Sequence, residues 1–269
     1  ARDVRLTEKE FNQAIGLVTA LGRLTTDSHN ETRLIAGSLG LSTLVCLMNN
    51  AGTSANLLGP FWRQGAPWVK NGDSIVRSPT SGTPLFFYGR VVDTEGKPIS
   101  GANVDVWHCA TNGLYENQDP SQAEWNLRGR LQTDDDGRFS YQSIRPVGYP
   151  TPAGGPTETL LRVQHRGVYR PAHLHALIYK EGFKTVPAQV YASDDKDLES
   201  DCQFGVQSNA VGRYVLHENE PAPDPTIKGP WYSLQHTFVV KRGESILPTP
   251  PVSAKSRVTA QSMEPETAA

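Results

Sequence analysis

Leu85-Phe86-Phe87-Tyr88-Gly89-Arg90-Val91-Val92 is followed by Asp93-Thr94-Glu95-Gly96-Lys97-Pro98 and then by Asn103-Val104-Asp105-Val106-Trp107-His108. Two short runs rich in β-branched and aromatic residues thus flank a cluster of turn formers, the pattern of a strand, a turn and a strand. The same texture recurs downstream. Further runs at 137–141, 174–179 and 237–240 are separated by segments such as 134–137, and most of the 20 prolines and many of the 24 glycines lie beyond Gly52. Many short strands with Pro- and Gly-rich turns predict a mainly β fold whose core is an antiparallel β-sandwich.

Upstream the texture is helical. Phe11, Ile15, Leu17, Val18 and Leu21 recur at helical spacing, and Thr7 followed by Glu10 is a capping-box pattern. A second helix is expected over about 30–39 and a third over 42–48, with Gly37 and Gly40 weakening the middle one. The expected organisation is an N-terminal helical region at 1–55, a β-sandwich domain at 56–246, and a loosely held tail at 247–269 containing Pro248, Pro250 and Pro251.

Bulk composition excludes several functions. The 269 residues carry a formal net charge of −2, so no basic field is available to attract nucleic acid. No apolar run is long enough to span a bilayer or form a signal core, which points to a cytoplasmic protein without membrane insertion. Cys46, Cys109 and Cys202 are odd in number and far apart, so a disulfide framework is not expected.

The chemistry concentrates in Arg170-Pro171-Ala172-His173-Leu174-His175. On a strand His173 and His175 share a face, where two imidazoles can bind one transition metal, while Leu174 faces the core. Pro171 removes a ladder donor and suits a strand edge or start. A bare His-x-His also fits a solvated strand face, or a cupin site completed by a carboxylate, although no Glu follows His175 at short spacing. Tyr115 and Tyr149 are each compatible with a simple packing role; Tyr149 lies in the rigid Gly148-Tyr149-Pro150 loop, where functional side chains are often displayed.

Taken in order, these pieces resemble the intradiol ring-cleavage dioxygenases, the catechol 1,2- and hydroxyquinol 1,2-dioxygenase branch. The resemblance runs from about Phe11 to about Val240. It rests on Leu58-Gly59-Pro60-Phe61, on Gly89-Arg90-Val91-Val92-Asp93 with Gly96 and Pro98, on Gly101-Ala102-Asn103-Val104-Asp105-Val106-Trp107, on Tyr115, Gly148-Tyr149-Pro150, the Arg170–His175 motif and Gln189. It implies an Fe(III) ion held by Tyr115, Tyr149, His173 and His175, with O2 and a small aromatic diol as partners in ring cleavage to a muconate-type diacid. Fe(III) is a hard, highly charged ion, and two phenolates stabilise it in that state. By the same resemblance Tyr149 is the ligand that leaves and acts as base. Arg170 stabilises charge developing on the substrate, and Gln189 donates a hydrogen bond to a substrate oxygen.

The resemblance further implies a pocket wall of Leu34, Gly37, Leu57, Leu58, Gly59, Pro60, Phe61, Cys202 and Gln203. Leu-Gly-Pro-Phe and Phe204-Gly205-Val206 lean toward hydroxyquinol enzymes, whereas Gly37 stands where an Asp is usual, and Cys202-Gln203 fit neither branch. A roomier pocket for a substituted catechol follows from the missing side chain at 37. Relatives pair their helical regions as a homodimer that often traps a lipid. Here at least one leading helix is expected to be missing, and Phe11, Ile15, Val18, Leu41 and Leu44 offer either a dimer face or packing onto the chain's own sandwich. A non-catalytic, transthyretin-like binding sandwich is the alternative, opposed by the four ligand-type residues in order.

Overall fold

The computed structural model describes residues 2–256. Three helices lead: α1 (Glu8–Leu24), α2 (Glu31–Ser38) and α3 (Leu41–Asn49). The capping box at the start of α1 forms as expected, with the Glu10 amide donating to Thr7 Oγ1 at 3.3 Å and the Thr7 amide to Glu10 Oε2 at 2.8 Å. Asn30 caps α2 by accepting from the Arg33 amide at 2.9 Å. Gly40, at φ 76°, turns the chain between α2 and α3, and a left-handed residue there needs no Cβ. No single helix among the described residues is long and apolar enough to cross a membrane; α2 and α3 meet that length only as a pair bent by 76°.

The sandwich follows: β1 (Pro84–Asp93), β2 (Asn103–Trp107), β3 (Arg128–Gln132), β4 (Arg138–Ile144), β5 (Tyr149–Pro150), a helix α4 (Pro156–Val163), β6 (Tyr169–Arg170), β7 (His173–Tyr179), β8 (Val186–Ala192), β9 (Val211–Gly212), β10 (Tyr214–His217) and β11 (Trp231–Val240). One sheet has the order β10-β11-β1-β4 and the other β3-β2-β7-β8-β9, with β5 and β6 forming a separate two-stranded ribbon. The sheets are mixed rather than strictly antiparallel. The last long strand, β11, returns alongside β1 in the same direction, Leu85 opposite Tyr232, and β8 runs parallel to β9. A long connection through the second sheet permits such pairing, which a hairpin cannot make.

Strand alternation fixes where the site lies. Val104 and Val106 of β2, Leu174, Ala176 and Ile178 of β7, and Val186, Ala188 and Val190 of β8 join Phe87, Val91, Tyr141 and Phe238 between the sheets. The odd positions of β7 therefore face outward, yet β7 is buried on both faces. A second apolar cluster covers that outer face: Phe61, Trp62, Trp107, Cys109, Tyr115, Tyr149 and Leu177. β7 lies inside its sheet, so Pro171 marks a strand start and not an edge.

The helical region leaves apolar side chains uncovered. Phe11, Ile15, Val18, Leu41 and Leu44 are all at least half exposed, so they do not pack onto the chain's own sandwich. The described part of the 247–269 stretch is tied down where looseness was expected. Val252 is buried, Asn30 Nδ2 donates to the Pro251 carbonyl at 3.1 Å, and the Ser253 and Ala254 amides donate to the Asp27 carbonyl. The expectation for 257–269 lies outside the described residues.

Candidate metal centre and active site

His173 and His175 emerge from β7 on the covered face, opposite Tyr191 and Gln189 of β8, with Trp107 of β2 paired to His175 on the other side. Trp107 stacks on the His175 ring at 4.7 Å and 9°, which holds that imidazole flat. The His173 Nδ1 proton is directed to the Pro171 carbonyl at 2.6 Å, so its Nε2 presents a lone pair inward.

The tyrosines arrive from loops. Tyr115 follows the turn at Gly113, its amide donating to Gln118 Oε1 at 3.0 Å, and its ring lies 4.5 Å from Phe61. Behind it Glu116 accepts from Arg63 Nη1 at 2.8 Å and Arg128 Nε at 2.9 Å, all three buried. Tyr149 sits on the β5–β6 ribbon directly opposite Arg170. A Cβ at Gly113 would stand 3.0 Å from Tyr149 Cβ, so glycine lets the two loops close on each other.

These elements bring all four expected ligand residues together. Tyr115 Oη lies 2.9 Å from Tyr149 Oη and 3.0 Å from His175 Nε2. His173 Nε2 lies 3.1 Å from His175 Nε2, 3.3 Å from Tyr149 Oη and 3.4 Å from Tyr115 Oη. Ligands about 2.1 Å from a common ion stand roughly 3.0–3.4 Å apart, so the spacing fits one first-row transition metal. Among the described residues no cluster of three His, Cys, Asp or Glu could hold a metal; here half the donors are phenols. Burial, helped by the Arg170 charge, pushes His173 down to about 3, and burial takes His175 well below its usual range, so both imidazoles are neutral and able to offer lone pairs. Burial raises both phenols, which makes a phenolate costly unless a cation shares the site. Two inward imidazole nitrogens facing two phenol oxygens have at most two protons among them, a lone-pair-rich cluster that a cation would satisfy.

Arg170 borders this cluster. Its Nη1 is 3.1 Å from His173 Nε2, while Nε meets Asp201 Oδ1 at 3.1 Å and Nη2 meets Tyr191 Oη at 2.6 Å and Gln189 Oε1 at 2.9 Å. It is buried, not a surface ion pair, and the Asp201 carboxylate keeps it firmly charged despite burial. Gln189 Nε2 donates to the Leu57 carbonyl at 2.7 Å, leaving one N–H for another acceptor.

The expected pocket residues separate into three groups. Gly37, Leu57, Leu58, Gly59 and Gln203 line a cavity of about 30 Å³ together with Arg33 and Ser42. Phe61 lines another, of about 180 Å³, with Tyr149. Leu34, Pro60 and Cys202 are buried and line neither. The Cys202 thiol donates to the Val168 carbonyl at 3.5 Å, and burial pushes it up to about 12. Sequence reasoning assigned no role to Asp201, Tyr191, Trp107 or the Arg63–Glu116–Arg128 group. Tyr191 was findable, because it shares a strand face with Gln189; Asp201 carried no comparable signal.

Gly59, at φ +73°, lies against His175, and a Cβ there would stand 3.1 Å from His175 Cε1. Gly59→Ala should cost about 1–2 kcal/mol for the left-handed backbone alone and tilt the imidazole. A lowered calorimetric melting temperature with reduced metal stoichiometry is expected; an unchanged pair of values would contradict the close approach.

Comparison with known proteins yields a consistent set. The family model described as "Catechol dioxygenase N terminus" matches residues 1–56, and the one described as "Dioxygenase" matches 57–227. The chain is 36% identical over 231 residues to the intradiol ring-cleavage dioxygenase prcA of Aspergillus niger, covering 82% of this chain and 73% of that protein. It is 38% identical over 219 residues to the 6-chlorohydroxyquinol 1,2-dioxygenase of Cupriavidus pinatubonensis, covering 80% and 79%. The solved hydroxyquinol 1,2-dioxygenase of Pseudomonas putida DLL-E4 superposes with a TM-score of 0.79 at 36% identity, over 90% of this chain and 86% of that one.

Proposed function

Because the chain belongs to the intradiol ring-cleavage dioxygenases, we propose that it holds Fe(III) through Tyr115, Tyr149, His173 and His175 and cleaves hydroxyquinol in preference to catechol. The observation that carries this reading is the convergence of two phenol oxygens and two imidazole nitrogens within 2.9–3.4 Å contacts. When bound, the ferric ion supplies a Lewis-acidic centre that a deprotonated diol can chelate and through which the ring becomes open to O2.

The chain's own residues do the rest. Tyr149 Oη takes a substrate hydroxyl proton, since a phenolate freed into so buried a place is a strong base. Arg170, with Nε and Nη2 fixed by Asp201, Tyr191 and Gln189 and Nη1 turned toward the donor cluster, offers a preorganised positive charge to the oxyanion that builds on the ring. Gln189 turns its remaining N–H to a substrate oxygen. Phe61, Trp107 and the covering loops exclude water, which strengthens each of these interactions. Hydroxyquinol is favoured by the Leu58-Gly59-Pro60-Phe61 wall and by similarity to proteins named for hydroxyquinols. We also propose a homodimer through the exposed apolar faces of α1 and α3.

The reaction adds O2 across one ring bond with nothing else consumed. Turnover under 18O2 should therefore place both labelled atoms in one diacid product, one in each new carboxyl, apart from exchange with water. An aldehyde-bearing product, cut beside the diol, would contradict the proposal.

A further inference from the structure

Tyr191 stands between Arg170 and Gln189. It lies two residues after Gln189 on β8 and opposite His173 of β7, so its side chain leaves the sheet on the same face as Gln189 and the two histidines. It is fully enclosed, at 0% exposure, and its ring backs the His173 imidazole at 5.2 Å. Its Oη accepts from Arg170 Nη2 at 2.6 Å. A guanidinium has donors only, so the phenol proton cannot point back at Arg170 and goes instead to Gln189 Oε1.

That direction fixes the carboxamide. Gln189 Oε1 takes the Tyr191 proton and an N–H of Arg170 at 2.9 Å, while Nε2 gives one proton to the Leu57 carbonyl at 2.7 Å. Both lone pairs of Oε1 and one amide proton are thus committed, which leaves a single N–H for a substrate oxygen. Arg170 does not depend on Tyr191 in the same way, since the Asp201 carboxylate already holds Nε at 3.1 Å and Nη2 at 3.2 Å. The neighbouring backbone is shaped to the hydroxyl. A Cβ on Gly205 would collide with Tyr191 Oη, and Gly205 is pinned there, its amide donating to Asp201 Oδ2 at 2.8 Å and its carbonyl accepting from Asn56 Nδ2 at 2.8 Å.

We propose that the Tyr191 hydroxyl is a positioning group for ring cleavage that acts through Gln189: by donating to Oε1 it keeps the free amide N–H aimed at the substrate oxygen on which charge develops. The inference rests on the intradiol reading above. In this role Tyr191 needs no contact with substrate or metal and transfers no proton. A donor fixed in advance is worth more to the transition state than to the bound diol, so its loss falls on kcat and spares KM.

The test compares the wild type, Tyr191→Phe, Gln189→Leu and the double variant as iron-loaded protein. Turnover of hydroxyquinol and catechol is expressed per iron, and the visible absorption of each protein is recorded. Tyr191→Phe keeps the ring against His173, so its iron content and visible absorption should match the wild type. Its kcat should fall about tenfold, as for the loss of one buried hydrogen bond, with KM within about twofold. In the Gln189→Leu background the same substitution should add less than about threefold, because its partner is gone. The proposal is overturned if Tyr191→Phe leaves kcat per iron unchanged, if it raises KM with kcat intact, or if its factor persists undiminished in the Gln189→Leu background, the mark of a purely structural role. A wild type that cleaves no diol sinks the intradiol reading and this proposal with it. A wild type that turns over beside any of those three results sinks the proposal alone.

Discussion

Tyr149→Phe should lower turnover by about 10²–10⁴-fold, the range typical of losing a positioned general base. The substitution keeps the ring, which is 4% exposed and packed between Gly113 and the His173 imidazole, so the fold should survive. It removes only the oxygen, which stands 2.9 Å from Tyr115 Oη and 3.3 Å from His173 Nε2. Two functions go with that atom, a donor to the metal and an acceptor for the substrate proton. Steady-state kinetics normalised to iron content separates them: turnover per iron should still be low in whatever fraction stays loaded. Full turnover per iron would remove Tyr149 from the proton path.

Glu116→Gln should cost about 3–5 kcal/mol of stability, because it strands two buried guanidinium groups without their shared carboxylate. Glu116 has its side chain fully enclosed, accepting from Arg63 and Arg128, and Arg128 continues to the Phe61 carbonyl at 2.8 Å and Asn117 Oδ1 at 2.6 Å. That group ties the loop carrying Tyr115 to the segment carrying Phe61, so loss of charge should also loosen Tyr115. The natural comparison is Glu124, the other partner of Arg63, whose side chain is 53% exposed. Glu124→Gln should cost no more than about 1 kcal/mol. Chemical denaturation of both variants checks this; equal losses would mean that burial does not govern the network.

The sequence was most legible where periodicity and chemistry coincide. His-Leu-His on a strand splits into two side chains on one face and one core residue on the other whatever the neighbours, and β7 does this. Thr7 and Glu10 form a local motif that needs no tertiary information. β3 carries no apolar alternation in Arg128-Gly129-Arg130, and only the folded chain buries Arg128 against Glu116. β8 was missed because Pro187 and Gln189 interrupt its apolar pattern, and Gln189 is there for Arg170 and Leu57. The parallel pairing of β11 with β1 joins residues far apart in the chain, and no local signal encodes it. Asp201 shows the same limit for the site: it lies in an irregular segment, and only the folded chain brings it to Arg170. The convergence of the tyrosines became legible through family resemblance, since each alone is an ordinary packing residue.

Phenolate coordination of Fe(III) gives a ligand-to-metal charge-transfer band in the visible region, which no arrangement of imidazoles and carboxylates alone produces. The most direct test of the account is the visible absorption spectrum of the protein reconstituted with iron, measured beside its iron content. One iron per chain with a red to burgundy colour is the expected result. A fully loaded protein that is colourless would contradict the convergence of Tyr115 and Tyr149 on a single ferric ion.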